Sequence, residues 1–184
     1  MDISHLNEID RILFTENEIK KVVEKIANDI TRDYEDDEAD LVLIGILKGS
    51  VFFLSDLSRK INLPLSFDFM SVSSYGMGTE SSGDVRILKD LDESIDKKNV
   101  IIVEDIIDTG YTLSYLIDNL KSRGVKSIKT AVLLDKKERR LVDIDADYVG
   151  YEIPDEFVVG YGIDYAQRYR DLPFIGIVKR EVYE

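Results

Sequence analysis

The sequence predicts an α/β protein with a central parallel sheet, helices on both faces and a small C-terminal hood. Two segments, 41–47 and 99–103, are unbroken or nearly unbroken apolar runs, the pattern of strands that are buried on both faces. Each run is followed by apolar residues at helical spacing, and a third strand pattern comes after the second of these helices. Strand, helix and strand in that order imply a right-handed crossover and therefore a parallel sheet.

The first clear element is a helix that begins after Thr15. Thr15 and Glu18 have the spacing of a capping box, in which two side chains satisfy backbone donors of the first turn. Apolar residues then recur on one face of the helix: Ile19, Val22, Val23, Ile26 and Ile30. The acidic run 35–38 ends the helix, and we interpret it as a solvated connector rather than a metal site.

The strand 41–47 comes next, and the turn Lys48-Gly49-Ser50 leads into a helix that packs back on the sheet. A loose alternation over 65–72 predicts another strand. The Ser- and Gly-rich stretch 73–83 has no period and little apolar surface to bury. It predicts a long mobile loop, of the kind that often serves as a lid or a binding loop.

The second half of the chain opens with the strand 99–103, followed by an acidic stretch and a helix that Gly124 should end. Residues 127–134 give the third strand. Beyond about residue 143 the pattern changes to shorter strands and turns, which we interpret as a small lobe attached to the sheet.

A single domain should span residues 1–184, because no linker or internal repeat divides the chain. We expect its core over about 35–142, and a hood made of about 143–184 together with the N-terminal segment. Apolar residues make up 44% of the chain and charged residues 33%, a mixture that can build a core with a solvated surface.

The composition excludes several classes of function. Because the chain has no cysteine, disulfides, thiolate metal sites and a cysteine nucleophile are excluded, and the only histidine, His5, cannot support a multi-histidine zinc site. A formal charge of −13 argues against a general nucleic-acid binder. No apolar run is long enough to span a bilayer and no signal-peptide pattern opens the chain, so we expect a soluble cytoplasmic protein with no membrane partner.

The strongest chemical signal is the thirteen-residue string 100–112, Val-Ile-Ile-Val-Glu-Asp-Ile-Ile-Asp-Thr-Gly-Tyr-Thr. An apolar strand delivers Glu104 and Asp105 to the carboxyl edge of the sheet, where ligands of open α/β sheets bind. The helix that follows offers free N–H groups and a positive dipole end, which suit a phosphate. The two acids could hold a vicinal diol or a hydrated Mg²⁺.

This string resembles the PRPP-binding motif of type I phosphoribosyltransferases, and its Glu-Asp-Ile-Ile-Asp-Thr-Gly portion is similar to the hypoxanthine-guanine branch of that family. The resemblance extends over nearly all of the chain from about Thr15 onward and implies the type I phosphoribosyltransferase fold. Further segments agree with the family in the same order along the chain: a pyrophosphate loop at 47–50, a mobile catalytic loop at Ser74-Tyr75, a purine site at Lys136 and 157–161, and a hood at 162–165 and 170–172.

The resemblance implies a role for each matching residue on the PRPP side. Glu104 and Asp105 would hold the ribose hydroxyls beside Mg²⁺, and Asp108 would be the general acid or base near purine N7. The 5-phosphate would be cradled by residues 108–112, namely Asp108, Thr109, Gly110, Tyr111 and Thr112. Asp164 would help to hold a second Mg²⁺.

The resemblance also implies roles around the leaving group and the base. Pyrophosphate would meet Lys48, Gly49 and Arg170, across a Leu47–Lys48 peptide that is cis in the family. Ser74 and Tyr75 would belong to the mobile loop. The purine would be held by a Lys136 donor to its 6-oxo group, by Phe157 stacking on the ring, and by the backbone of Val158.

The implied function is purine salvage, in which PRPP and hypoxanthine, with guanine as a second base, give IMP or GMP and pyrophosphate. The family also implies a homo-oligomer, either a dimer or a tetramer. Three alternatives stay open: a regulatory nucleotide sensor on the same fold, a sugar-phosphate binding module without catalysis, and an orotate- or uracil-type transferase. Scattered basic residues and the retained Asp108 disfavour the sensor.

Overall fold

Two sheets organise the part of the chain that the computed structural model describes, residues 6–75 and 84–183. The larger has the strand order β4-β3-β2-β5-β6-β7, and the smaller has the order β1-β9-β8. The strands are β1 (Ile9–Phe14), β2 (Leu41–Leu47), β3 (Leu65–Tyr75), β4 (Asp84–Lys89), β5 (Asn99–Ile107), β6 (Ser127–Asp135), β7 (Tyr148–Glu152), β8 (Val158–Val159) and β9 (Ile175–Val178). The helices are α1 (Glu16–Tyr34), α2 (Val51–Ser58), α3 (Tyr111–Lys121) and α4 (Arg180–Tyr183).

The predicted fold class is confirmed by the larger sheet. β3, β2, β5, β6 and β7 pair in parallel, which gives five parallel strands. A sixth strand, β4, pairs antiparallel with β3 at the edge and was not predicted. Its segment, Asp-Val-Arg-Ile-Leu-Lys, alternates charged and apolar residues, as is common in short edge strands with one face towards water.

Alternate residues of the central strands build the two faces of the sheet. Leu41 and Leu43 of β2 face one cluster with α1 and α2, whereas Val42 and Ile44 face a second cluster with α3. β5 divides its residues in the same way. Burial on both faces explains why these strands are continuous apolar runs in the sequence.

α1 begins as the capping box predicts. The Thr15 backbone N–H donates to Glu18 Oε2 at 2.8 Å, and the Glu18 N–H donates to Thr15 Oγ1 at 3.4 Å. The apolar face of the helix is buried against the sheet. Among the described residues, neither α1 nor any other helix combines the length and the apolar character needed to cross a membrane.

Two strands extend beyond their predicted ends. β5 continues to Ile107 because its ladder with β6 persists, pairing Glu104 with Val132 and Ile107 with Asp135. β3 continues to Tyr75, so residues 73–75 of the predicted loop are strand. The rest of that predicted loop, residues 76–83, lies outside the described residues.

The hood is the smaller sheet, in which β9 lies between β1 and β8. The predicted boundary near residue 143 precedes β7, which pairs with β6 in the larger sheet, so the hood sheet begins after β7. The hood contacts the core where the Tyr161 hydroxyl donates to Asp56 Oδ2 at 2.7 Å. The chain therefore places the hood above the carboxyl ends of the parallel strands, next to α2.

Two neighbouring phenylalanines of α2, one buried and one exposed, allow a stability test of how this helix packs on the core. Phe53 is fully buried in the cluster between α1 and the sheet, whereas Phe52 is 43% exposed. We expect Phe53→Ala to lower the free energy of unfolding by about 3–5 kcal/mol, the usual cost of emptying a buried aromatic site. Phe52→Ala is the matched control and should cost clearly less, and urea titrations of both variants would measure this. Equal losses would contradict the placement of α2.

Candidate active site

The carboxyl end of β5 and the start of α3 form a cavity of about 110 Å³. We call residues 108–112 the phosphate loop. Asp108, Thr109, Gly110 and Thr112 of this loop line the cavity together with Glu104. Gly110 has a φ of +88°, and a Cβ there would lie 2.7 Å from a Val142 methyl carbon, so both backbone conformation and space require glycine.

The phosphate loop ends on the N-terminus of α3, whose first residue is Tyr111. Gly110 precedes the helix, and its carbonyl accepts the first helical bond, from the Ser114 N–H at 3.0 Å. The N–H groups of the first turn have no acceptor within the helix, and the helix dipole is positive there. These groups give the cavity the character of an anion site.

Glu104 and Asp105 are half-buried at this edge of the sheet, with the Glu104 Oε2 atom itself buried. Burial raises the pKa of Glu104 well above its ordinary value, and the neighbouring Asp105 charge raises it further. Burial also raises the pKa of Asp105 to about 6, although backbone N–H groups of Asp105 and Ile106 oppose the rise. Glu104 Oε2 has no hydrogen-bond partner among the described residues, so a buried oxygen remains for a ligand.

The Lys48-Gly49 turn packs between these acids and the hood. A Cβ on Gly49 would lie 1.8 Å from Asp105 Oδ2, and a Cβ on Gly162 would lie 1.9 Å from the Gly49 carbonyl oxygen. The peptide bond between Leu47 and Lys48 is cis, as the family resemblance implies. Glycine at both positions is therefore what allows core and hood to meet at this turn.

The two cations predicted for pyrophosphate converge on one acceptor. Lys48 Nζ donates to Gln167 Oε1 at 3.3 Å, and Arg170 Nη2 donates to the same oxygen at 3.4 Å. Arg170 is held by the Gly162 carbonyl and by Asp164, each at 2.7 Å. Its Nε is buried and has no partner within residues 6–75 and 84–183, which leaves a donor for an anion.

The residues predicted for the base lie at the end of β6 and the start of β8. Lys136 is buried, and its Nζ lies 3.6 Å from Asp155 Oδ1. The Phe157 ring is stacked with Tyr183 at 4.9 Å between centroids, and the Tyr165 ring meets it edge-on at 5.5 Å. Val158 follows as a buried residue of β8.

A chain of alternating charges joins the predicted acid–base residue to the base site. The Arg139 Nε lies 2.7 Å from Asp108 Oδ1, and its Nη1 lies 3.3 Å from Asp155 Oδ1. Asp155 in turn lies beside Lys136. Asp108, Arg139, Asp155 and Lys136 thus form one network, which we call the base network.

The predicted metal ligands do not form a ready-made site. No group of three or more acidic or histidine side chains that could hold a metal occurs in the described part of the chain, and Asp164 is engaged by Arg170. Mg²⁺ is commonly held by one or two carboxylates together with substrate phosphates. The unpartnered oxygen of Glu104, beside Asp105, fits an ion of that kind.

Most of the predicted site residues lie at one edge of the sheet, and several contributors were missed. The side chains of Ser74 and Tyr75 lie outside the described residues. Arg139, Arg140, Asp155 and Gln167 were not predicted, yet each contacts a predicted residue. A signal for two of them existed, because the basic run Lys136-Lys137-Glu138-Arg139-Arg140 directly follows a strand that ends at the site edge.

Comparisons with known proteins agree with the fold. Residues 11–166 match the model of the phosphoribosyl transferase domain. The chain is 51% identical over 178 residues to the hypoxanthine-guanine phosphoribosyltransferase of Bacillus subtilis, covering 97% of this chain and 98% of that protein. It is also 49% identical over 177 residues to the bifunctional protein TilS/HprT of Listeria monocytogenes, of whose length it spans only 27%. A crystal structure of a hypoxanthine phosphoribosyltransferase from Staphylococcus aureus, 50% identical, superposes with a TM-score of 0.94 and covers 100% of this chain and 99% of that one.

The buried acid pair should make stability depend on pH. Because the folded pKa of Asp105 is about 6 and its ordinary value is 3.8, the stability it contributes is complete below pH 3.8 and is lost as the pH rises through 6. Asp105→Asn removes this ionisation. Relative to the native protein, the variant should gain about 1–2 kcal/mol in unfolding free energy between pH 5 and pH 8.

Urea unfolding of the ligand-free protein at the two pH values would measure this gain. Asp36→Asn, at an exposed position, is the matched control and should show no such pH-dependent difference. A parallel pH dependence of the Asp105→Asn variant and the native protein would contradict the burial of this carboxylate.

Proposed function

The chain belongs to the phosphoribosyl transferase family, and on that premise we propose that it is a hypoxanthine-guanine phosphoribosyltransferase of purine salvage. It transfers the 5-phosphoribosyl group of PRPP to N9 of hypoxanthine or guanine and releases pyrophosphate, with IMP or GMP as the product. Relatives at about 50% identity over nearly the whole chain carry that name. The reaction breaks the bond between the anomeric carbon and pyrophosphate and forms one to purine N9.

The observation that carries this proposal is the base network. It links Asp108, the first residue of the phosphate loop, through Arg139 and Asp155 to the buried amine of Lys136. A 6-oxopurine presents O6 and N7 on one edge, so it needs a donor for the first and an acid–base group near the second. Lys136 supplies the donor and Asp108 the carboxyl group, at the same edge of the sheet.

The same donor explains the choice of base. The Lys136 ammonium can donate to the 6-oxo group of hypoxanthine or guanine, whereas the 6-amino group of adenine would set donor against donor. Phe157 supplies a ring for stacking, and Tyr165 and Tyr183 hold that ring in place. The backbone of Val158 is proposed to read the rest of the purine edge.

The PRPP half of the site divides into three parts. Glu104 and Asp105 are proposed to hold the ribose hydroxyls. The phosphate loop is proposed to bind the 5-phosphate through N–H groups at the start of α3 and through the hydroxyls of Thr109 and Thr112. Lys48, Gly49 and Arg170 are proposed to receive pyrophosphate. Charge leaves with that group, so cations placed there favour the transition state over the bound substrate.

Mg²⁺ is proposed to enter with PRPP and to neutralise charge on the departing pyrophosphate. Glu104 and Asp105 would hold it, since the buried Glu104 Oε2 has no hydrogen-bond partner among the described residues and Asp105 is its neighbour. Asp164, which positions Arg170, is the proposed contributor to a second ion. Ser74 and Tyr75, which end β3, are proposed to help keep water from the reacting sugar.

We further propose that the enzyme acts in the cytoplasm as a homo-oligomer, a dimer or a tetramer, which light scattering of the purified protein would test. The single-domain organisation over residues 1–184 belongs to the same proposal. No observation in the described structure favours a regulatory sensor over the transferase.

The direct test offers PRPP and Mg²⁺ with hypoxanthine, guanine, xanthine or adenine and measures pyrophosphate release. Turnover is expected with hypoxanthine and guanine and not with adenine, because of the Lys136 donor. Chelation of the metal should abolish release. Tight PRPP binding without release for any purine would contradict the transferase and favour the sensor.

Asp108→Asn separates catalysis from binding. An amide keeps the shape of the side chain but cannot exchange the purine proton, so turnover should fall by about 10²–10⁴-fold. PRPP affinity, measured by calorimetry, should stay within about threefold, because the phosphate is held by N–H groups and hydroxyls. Asp118→Asn, at an exposed position of α3, is the control and should behave like the native enzyme. Equal losses of turnover and of PRPP affinity would reassign Asp108 to phosphate binding.

A further inference from the structure

We infer that the buried pair Asp135–Arg140 is a positioning element that sets the phosphate loop for PRPP. The inference rests on the proposed function, since it concerns how that site holds its substrate. The residues concerned lie in segment 135–141, which we call the clamp segment. It begins with the last residue of β6 and includes Lys136.

Three successive carbonyl groups beside the cavity are bound by the clamp segment. The Lys136 N–H donates to the carbonyl of residue 107 at 2.9 Å, and the Leu141 N–H donates to that of Thr109 at 3.0 Å. Between them, Arg140 Nη1 donates to the Asp108 carbonyl at 2.9 Å. Two of the three bonds come from the backbone, and the central one depends on a single side chain.

These bonds fix the direction of the opposing N–H groups. In a planar trans peptide the carbonyl and the next residue's N–H point in opposite directions. Carbonyls 107–109 point to the clamp segment, so the N–H groups of residues 108–110 point away from it. Asp108, Thr109 and Gly110 all line the cavity, so the N–H groups are available to a phosphate there.

The Arg140 side chain is largely buried between Asp135 and the phosphate loop. It is 13% exposed and pairs through Nη2 with Asp135, whose side chain is 1% exposed. The flat guanidinium makes both contacts at once, one to the carboxylate and one to the Asp108 carbonyl. Its Cδ also packs below Gly110, where a Cβ would lie 3.0 Å away.

A stabilising role alone explains this pair poorly. Removing two charges from water offsets most of their attraction, and apolar replacements of similar size are often as stable. The pair also places a fixed donor at the Asp108 carbonyl, the one of the three carbonyls 107–109 that the clamp backbone does not bind.

The test removes the pair without leaving a buried charge. In the double variant Asp135→Leu/Arg140→Met the core remains filled, and the thermal midpoint should stay within a few degrees of the native one. The dissociation constant for PRPP with Mg²⁺, measured by calorimetry, should rise about 10-fold or more, as expected for loss of a charge-assisted bond that orders the loop. The KM for hypoxanthine should change by less than about threefold, because the Lys136 backbone bond remains.

A folded double variant with native PRPP affinity would overturn the inference. If that variant does not fold, Arg140→Lys decides, because it keeps the charge beside Asp135 but replaces the fork by a single point donor. It should weaken PRPP binding, and native affinity would again overturn the inference.

Arg123→Lys is the matched control. It replaces the two-pronged contact of Arg123 with Asp90, at 2.8 and 3.1 Å near the opposite end of α3, by a single point donor, and should leave PRPP affinity unchanged. Absence of PRPP binding to the native protein would instead contradict the proposed function itself, so the two failures are distinguishable.

Discussion

The parallel pairing of β5 with β6 is the constraint on which the rest of the site depends. The ladder continues past Val103 to Ile107 opposite Asp135. Because both strands end in register, the phosphate loop that follows β5 lies beside the clamp segment that follows β6. The sugar-phosphate half and the base half of the site are therefore neighbours through backbone hydrogen bonds, before any side chain contributes.

The same register also explains why the site destabilises the folded protein locally. Extending β5 past Val103 buries Glu104 and Asp105, and burial raises the pKa of both carboxyl groups. The core beneath them, with fully buried residues such as Ile101 and Ile102, offsets such local destabilisation. Because these carboxyl groups are poorly solvated in the free protein, they lose few water molecules when they bind a divalent cation or a pair of hydroxyl groups.

Much of this could be predicted from the sequence, for identifiable reasons. Burial on both faces gives unbroken apolar runs, so β2 and β5 could be predicted as strands. The string 100–112 also indicated that Glu104 and Asp105 lie near the carboxyl end of β5. The hood sheet was only roughly predicted, because β8 has two residues and the sheet pairs β1, near the start of the chain, with β9, near its end. The base network was missed, since Arg139 and Asp155 meet only through the tertiary fold and neither type is diagnostic alone.

A net charge of −13 opposes the proposed anionic substrate at long range, whereas cations at the edge of the site offset that charge locally. Cations gather at the site edge, and each already has an oxygen partner there: Lys48 has Gln167, Arg170 has Asp164, and Arg139 has Asp108 and Asp155. Such pairing keeps the cations oriented in the free protein, and lowers the entropy lost when they meet phosphate oxygens. On the proposed function, an incoming phosphate would exchange one oxygen partner of each cation for another. The strength of binding would then depend on local geometry, while the distant acids are screened by salt.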